Sequence, residues 1–205
     1  MSEPLYIKSA LSVAAPTGDP AVAETVTAVI ADIRERGDAA VREYSEKFDK
    51  WTPESFKLSD TQIEGIVARV PAEVIDDIKT VQQNVRVFAQ HQRDSLTDFE
   101  VETAPGVHLG QRNLPVAGAD AYAPGGRYPL VASAHMTTVT AKVAGVPHIT
   151  ACTPPIRGEI PAATIAAFHL AGADDIYLLD GVQAIAAMAF GHGDDPQCRH
   201  ARRPR

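Results

Sequence analysis

The feature that most constrains the fold is a regular alternation of extended and helical patterns in the second half of the chain. From Gly118 onward, short apolar strands alternate with helices across brief connections. The strands are expected at Ala119–Tyr122, His148–Thr153 and Asp175–Leu179, and the helices at Ser133–Ala144, Ala162–Ala171 and Val182–Phe190. Such alternation is typical of right-handed βαβ units that build a parallel sheet. The sequence therefore predicts an α/β fold.

The part of the chain before this alternation, from Asp19 to about His91, is predicted to form consecutive helices. Asp19 and Pro20 suit an N-cap and a first helical position, and Gly37 suits the end of that helix. Ser59 and Gln62 have the spacing of a capping box. Apolar stripes support both the first helix (Val22, Val26, Val29, Ile30, Ile33) and a longer one opened by Pro71 (Val74, Ile78, Val81, Val85, Phe88).

Three regions follow from these patterns. Residues 1–95 form a helical amino-terminal region, and residues 96–191 contain the strand and helix alternation, preceded by a hairpin that turns at Pro105-Gly106. Residues 192–205 carry four arginines, two aspartates and two prolines with no large aliphatic residue, which favours an irregular tail outside any core.

Charge and composition exclude several function classes. The net charge is −7 in 205 residues, which disfavours nucleic acid as the main partner. The four arginines of the tail have no interleaved aromatic residues, so they support nucleic-acid binding only weakly. We also expect no membrane association and a cytoplasmic location, because the sequence has no leader pattern, no long apolar run and no Cys-x-x-Cys pair.

The first candidate site is the loop after the strand that ends at Tyr122. Gly125 and Gly126 would let the backbone approach a ligand closely, and Arg127 could meet an anionic group. His135 is the one histidine near this loop, whereas the others are scattered singly. Pro-Gly-Gly is also ordinary turn chemistry, so the residues alone leave both interpretations open.

The second candidate is Gln183, in the first turn of a helix that follows Asp180-Gly181. Its amide could bind a ligand, or it could satisfy backbone groups at the start of the helix. The sequence contains neither the Gly-x-Gly-x-x-Gly fingerprint nor the P-loop motif.

These segments resemble successive blocks of the histidinol dehydrogenase family. The matching blocks are Ala121–Gly126, Thr140–Val146, Thr153–Pro155, His169–Ala173 and Gly181–Gly191, in the family's order and spacing. The resemblance implies an incomplete Rossmann-like sheet in a cytoplasmic, zinc-dependent homodimer that oxidises an amino alcohol through an aldehyde to an acid, reducing two NAD. Histidinol to histidine is the founding reaction. By that resemblance Tyr122 and Gln183 would contact NAD. From the position of the loop, we expect Gly125 and Gly126 also to line the cofactor site, and Arg127 and His135 to face the small alcohol substrate.

Other functional residues of the family have no counterpart here. The family's Pro-Gly-Asn motif, its Glu-His general base and its Gln, two His and Asp zinc ligands would all follow Gly191, so we assign neither a catalytic residue nor a metal ligand. Gln197 and His200 reproduce one ligand spacing by coincidence. One choice of codons from Gly191 onward permits a single-base insertion whose removal restores the family's Gly-Thr-Glu-Thr-Ile. We therefore hypothesise a frameshifted, truncated chain that is inactive alone, which reading the gene would test.

Two alternatives remain open on the sequence. Residues Arg127–Met136 and the Gly181-Val-Gln183 triplet also resemble a branch of the family that acts on dihydroxypropanesulfonate, whose sulfonate would suit the fixed cation of Arg127. A non-catalytic nucleotide-binding or interaction module is the other alternative.

Overall fold

The computed structural model describes residues 19–125 and 129–191, which form eight α-helices and five β-strands in these ranges. The amino-terminal part contains α1 (Pro20–Arg36), α2 (Asp38–Tyr44), α3 (Asp60–Val67) and α4 (Ala72–Asp94), and a π-helical segment, Ser45–Asp49, continues α2. A hairpin of β1 (Phe99–Ala104) and β2 (Val107–Gln111) follows. The remaining elements are β3 (Ala119–Tyr122), α5 (Val131–Ala134), α6 (Thr140–Ala144), β4 (Ile149–Thr153), α7 (Ala162–Ala171), β5 (Asp175–Leu178) and α8 (Gly181–Phe190), with π-helical His135–Val139 joining α5 to α6.

The sheet confirms the predicted α/β fold. Strands β3, β4 and β5 lie side by side in that order and all run parallel. Tyr122 of β3 pairs with Cys152 of β4, which pairs with Tyr177 of β5. Every residue of β4 is buried, as expected for a central strand covered on both faces. The carboxyl ends of the three strands therefore meet at one edge of the sheet.

The connection between α2 and α3 differs from the predicted run of helices. Residues 50–59 are not helical, and Lys57 forms an antiparallel bridge with Tyr177 of β5. The amide of Leu58 donates to the Ile176 carbonyl at 2.9 Å, and the amide of Leu178 donates to the Phe56 carbonyl at 2.8 Å. This short segment occupies the free side of β5 and satisfies backbone groups that an open edge would expose.

The predicted helix ends are confirmed. Asp19 caps α1 by accepting from the amide of Ala21 at 3.0 Å, and Pro20 is its first residue. Gly37 ends that helix with a φ of 60°, a conformation that favours glycine. Ser59 and Gln62 form the reciprocal capping box of α3.

The apolar stripe predicted for α4 is only partly correct. Ile78 is buried, but Val81 and Phe88 are 43% and 68% exposed. The buried line instead continues through Gln82 and Ala89. Gln82 and Ala89 lie four and eleven residues after Ile78, which keeps this line on one face of the helix, and that face packs against α6 and α7.

The core joins the amino-terminal helices to the sheet. One cluster combines Ile63, Ile66 and Ile78 with Ile149 of β4 and Phe168 of α7. A second cluster places Val29, Ile33 and Val41 of α1 and α2 against Leu179 and Ala184. The division at residue 95 stays a prediction, and residues 192–205 lie outside the described residues.

The β1–β2 hairpin is antiparallel, as predicted, and is exposed along both strands. None of the helices in the described ranges is both long and apolar enough to cross a membrane.

Candidate functional site

A hydrogen-bonded cluster lies at the carboxyl ends of the parallel strands. Tyr122 is the last residue of β3, and its hydroxyl donates to Oδ1 of Asp180 at 2.6 Å. Asp180 follows β5, so the phenol reaches across the end of β4 to make this bond. Two residues 58 positions apart in the sequence are thereby joined at the edge where α/β folds bind ligands.

Asp180 is also the N-cap of α8. Its Oδ1 accepts from the amide of Gly181 at 2.7 Å, and the same amide lies 3.3 Å from the Tyr122 hydroxyl oxygen. A carboxylate at a helix N-terminus satisfies an unpaired backbone N–H and interacts favourably with the helix dipole. The tyrosine, the aspartate and the start of α8 therefore form one connected unit.

Gln183 extends this unit to the amino-terminal region. The residue is only 2% exposed, and its Nε2 donates to Oδ2 of Asp49 at 2.6 Å. Asp49 ends the π-helical segment after α2. Sequence reasoning found Gln183 but missed Asp49, because no local pattern near position 49 indicates a contact with α8.

Burial and neighbouring charge shift the proton affinities in this cluster. Burial raises the pKa of the Tyr122 phenol, and the bond to Asp180 raises it further, so the hydroxyl stays a donor. Burial also raises the pKa of Asp49, with a further rise from the charge of Asp180 and an opposing effect of the Gln183 hydrogen bond. Behind the cluster, burial raises the pKa of the Cys152 thiol to about 12, which keeps it protonated and unreactive.

Gly125, the first of the predicted loop glycines, lies directly against the loop after β4. A Cβ at this position would be 2.3 Å from Cγ of Pro154, a fully buried residue. Glycine is thus required here for close packing of two loops at the edge of the sheet. Gly126 and Arg127 lie outside the described residues.

The structure does not join His135 to this cluster. The residue is 4% exposed, in the π-helical segment between α5 and α6, and burial lowers the pKa of its ring. Nε2 of Gln82 lies 3.3 Å from its Nδ1 and donates to the carbonyl of Ala167 at 2.8 Å. The assignment of His135 to substrate binding stays a prediction.

A separate cleft of about 80 Å³ lies between α2, residues 55–57 and α8. It is mainly apolar, with Cys152, Leu179 and Met188 among its lining residues. Neither Tyr122 nor Gln183 lines it. We therefore place the candidate site at the hydrogen-bonded cluster, where polar groups converge.

The groups of the cluster fit a nucleotide. Carboxylates accept hydrogen bonds from ribose hydroxyls, and a glutamine amide pairs with another amide such as that of nicotinamide. Two carboxylates, Asp49 and Asp180, make this edge unsuitable for a pyrophosphate, which would have to lie elsewhere. The described residues do not fit zinc, since nowhere in 19–125 and 129–191 do three His, Cys, Asp or Glu side chains form a group that could hold a metal ion.

Comparison with known proteins shows which family this chain resembles. The histidinol dehydrogenase family model matches residues 14–200, which includes part of the tail. The chain is 57% identical over 170 residues to a histidinol dehydrogenase homolog of Shouchella clausii, covering 83% of this chain and 40% of that protein. It is 46% identical over 187 residues to sulfopropanediol 3-dehydrogenase of Ruegeria pomeroyi, covering 91% and 42% respectively.

A solved structure shows the same fold. The crystal structure of histidinol dehydrogenase from Elizabethkingia anophelis superposes with a TM-score of 0.77 at 33% identity, covering 83% of this chain and 39% of that one. The chain thus spans about 40% of the length of the relatives it matches. From the matched residues and the shared fold, this chain belongs to the histidinol dehydrogenase family, a family of dehydrogenases.

Proposed function

We propose that this chain binds NAD at the carboxyl edge of its sheet and contributes that site to the oxidation of an alcohol to an acid. The observation that carries the proposal is the convergence of Tyr122, Asp180 and Gln183 in one cluster. The family resemblance assigns NAD contacts to two of these three residues independently of the geometry.

Each residue has a distinct role in this proposal. Gln183 presents its amide to the cofactor, and Tyr122 contributes a hydroxyl that Asp180 keeps oriented. Gly125 lets the loop after β3 pack closely against Pro154 at this edge of the sheet. When bound, NAD supplies the hydride acceptor, and the chain's residues supply binding and orientation.

The substrate in this proposal is an amino alcohol, L-histidinol in the first place, oxidised through an aldehyde to L-histidine. Neither zinc binding nor a general base is assigned to the described residues. Pairing of two copies and a cytoplasmic location remain predictions.

The proposal is tested by titrating the 205-residue chain with NADH and following energy transfer from Trp51, its single tryptophan. The indole of Trp51 donates to the carbonyl of Leu178 at 3.1 Å, close to the end of β5. We expect saturable binding in the range of about 1 µM to 1 mM, typical of enzyme ligands. Tyr122→Phe and Gln183→Ala should each weaken it about tenfold, the loss of one good hydrogen bond.

The matched control is Tyr44→Phe, which removes a phenol hydroxyl that donates to Oδ2 of Asp32 at 2.8 Å and should bind NADH as the unsubstituted chain does. Binding that does not saturate, or equal losses in Tyr122→Phe and Tyr44→Phe, would overturn the proposal.

A sulfonated diol is the second candidate substrate, favoured by the 46% identity to sulfopropanediol 3-dehydrogenase. Arg127, which lies outside the described residues, is the proposed sulfonate contact on sequence grounds. Binding of L-histidinol and of 2,3-dihydroxypropane-1-sulfonate should be compared in the presence of saturating NADH. If the sulfonate is the substrate, it should bind more tightly than L-histidinol. Arg127→Gln should then weaken the binding of the sulfonate but not that of L-histidinol. If L-histidinol binds more tightly and Arg127→Gln leaves its binding unchanged, the substrate is the amino alcohol.

A further inference from the structure

The amino-terminal region reaches the candidate site through one side chain, Asp49. It lies at the end of the π-helical segment Ser45–Asp49, where a wider helical turn interrupts the normal pattern. Such wide turns are frequent at functional sites. Here the carboxylate at the end of the segment contacts Gln183, 134 residues away in the sequence.

The amide of Gln183 is confined on two sides. On one side, Nε2 donates to Oδ2 of Asp49 at 2.6 Å. On the other side lies Gly181, whose φ is +65° and whose missing Cβ would be 3.1 Å from Oε1 of Gln183. The amide therefore lies over the glycine, where any larger residue would displace it.

The chemistry of the partner fixes which way the amide faces. An ionised carboxylate can only accept hydrogen bonds, so the nitrogen of Gln183 must point to Asp49 and the oxygen away from it. Without Asp49, the two orientations of the amide would be nearly equivalent. A ligand that needs the oxygen as acceptor would then find it correctly placed only part of the time.

We propose that Asp49 is a positioning residue that orients the Gln183 amide for the cofactor, so that the helical amino-terminal region completes the NAD site. The inference rests on the proposed function, since it assumes that Gln183 contacts NAD. Asp49 itself does not touch the cofactor in this proposal.

A double-mutant cycle on NADH affinity tests the inference. We expect Asp49→Ala to weaken NADH binding about tenfold, comparable to the loss of one charge-assisted hydrogen bond. In a chain that already carries Gln183→Ala, the same change should cost less than about twofold, because the side chain it orients is gone. Asp49→Asn keeps an oxygen acceptor but can also turn its NH2 group toward Gln183, so it should recover only part of the affinity.

The matched control is Glu46→Ala, which removes an exposed carboxylate from the same π-helical segment and should leave NADH affinity unchanged. Affinity of Asp49→Ala equal to this control, or losses that add in the double variant, would overturn the inference while leaving the proposed function intact. No NADH binding by the unsubstituted chain would overturn both. If Asp49→Ala does not fold, the cycle is run with Asp49→Leu, which also removes the acceptor but keeps a side chain of similar size, and the same non-additivity is required.

Discussion

The loop that follows β3 depends on the absence of a side chain at position 125. Because an added Cβ would lie 2.3 Å from Cγ of the buried Pro154, Gly125→Ala forces the ring or the backbone to move. We expect a loss of about 1 to 3 kcal/mol in the free energy of unfolding, the usual cost of overpacking. Chemical denaturation measures this loss.

Gly65→Ala provides the comparison for this prediction. Gly65 lies inside α3 with nothing within 4 Å of its added Cβ, so alanine should stabilise the chain by up to about 1 kcal/mol through helix propensity. We therefore expect Gly125→Ala to lower the free energy of unfolding and Gly65→Ala to raise it. A Gly125→Ala chain as stable as the unsubstituted one would mean that the two loops are not in tight contact.

The protonation of Asp49 gives a second prediction at the scale of one residue. Its pKa is expected above the ordinary 3.8, because burial and the charge of Asp180 both disfavour the ionised form. Asp180→Asn should lower this pKa, and Gln183→Ala should raise it, since the amide stabilises the carboxylate. An NMR titration that follows the Asp49 carboxyl in the unsubstituted chain and in the two variants measures the order of the three pKa values.

The raised pKa of Asp49 also fixes the sign of its effect on stability. Between pH 3.8 and the raised pKa, the folded chain holds a proton that the unfolded chain has lost. The contribution of this group to the free energy of unfolding therefore falls as the pH rises through that window. Asparagine does not titrate, so the stability of Asp49→Asn should lack this pH-dependent component. A pH profile of stability equal to that of the unsubstituted chain would contradict the raised pKa of Asp49.

At the scale of the element, the capping box sets the start of α3. The Ser59 hydroxyl accepts from the amide of Gln62 at 3.3 Å, and the Gln62 side chain accepts from the amide of Ser59 at 2.8 Å. Ser59→Ala should cost about 0.5 to 2 kcal/mol in the free energy of unfolding. Ser59→Asp keeps a capping oxygen and should cost much less. Thermal or chemical unfolding measures both variants, and equal losses of stability would show that the loss does not come from the cap.

Elements were predictable where the determinants lie within a few residues of one another. Caps at Asp19 and Ser59 and the alternation after Gly118 depend on local spacing, and the structure confirms them. The stripe predicted for α4 was partly wrong, because hydrophobicity alone indicated Val81 and Phe88 as buried residues. Gln82 is buried instead, and its side chain donates to the Ala167 carbonyl. A polar side chain enters a core when a distant partner satisfies it, and that partner is not visible in the local pattern.

The same limit applies to the site. Tyr122 and Gln183 stand at strand and helix ends, where the α/β pattern itself indicates ligand binding. Asp49 is found only when the chain is folded, because its contact with Gln183 spans 134 residues. The antiparallel bridge of Lys57 to β5 is likewise a tertiary contact within a segment that has no strand pattern of its own.

At the scale of the whole molecule, the shared core predicts that the amino-terminal helices and the sheet unfold together. Ile66 of α3 is 2% exposed and belongs to the same cluster as Ile149 and Phe168. Ile66→Ala should remove about 2 to 5 kcal/mol of stability, the cost of a large cavity in a core. Because the cluster spans both regions, this loss should appear equally in helix content and in the environment of Trp51 against β5.

Denaturation followed by far-ultraviolet circular dichroism and by Trp51 fluorescence measures the two probes on one chain. We expect coincident transitions, displaced by the same amount in Ile66→Ala. Val22→Ala, in α1 at a site that is 59% exposed, is the control and should change stability by less than about 0.5 kcal/mol. Two separate transitions, or a shift confined to the helical signal, would show that residues 1–95 fold independently of the sheet. Coincidence would instead mean that the proposed NAD site and the helical region that carries Asp49 are stable only together, because the contact of Asp49 with Gln183 joins elements of one cooperative unit.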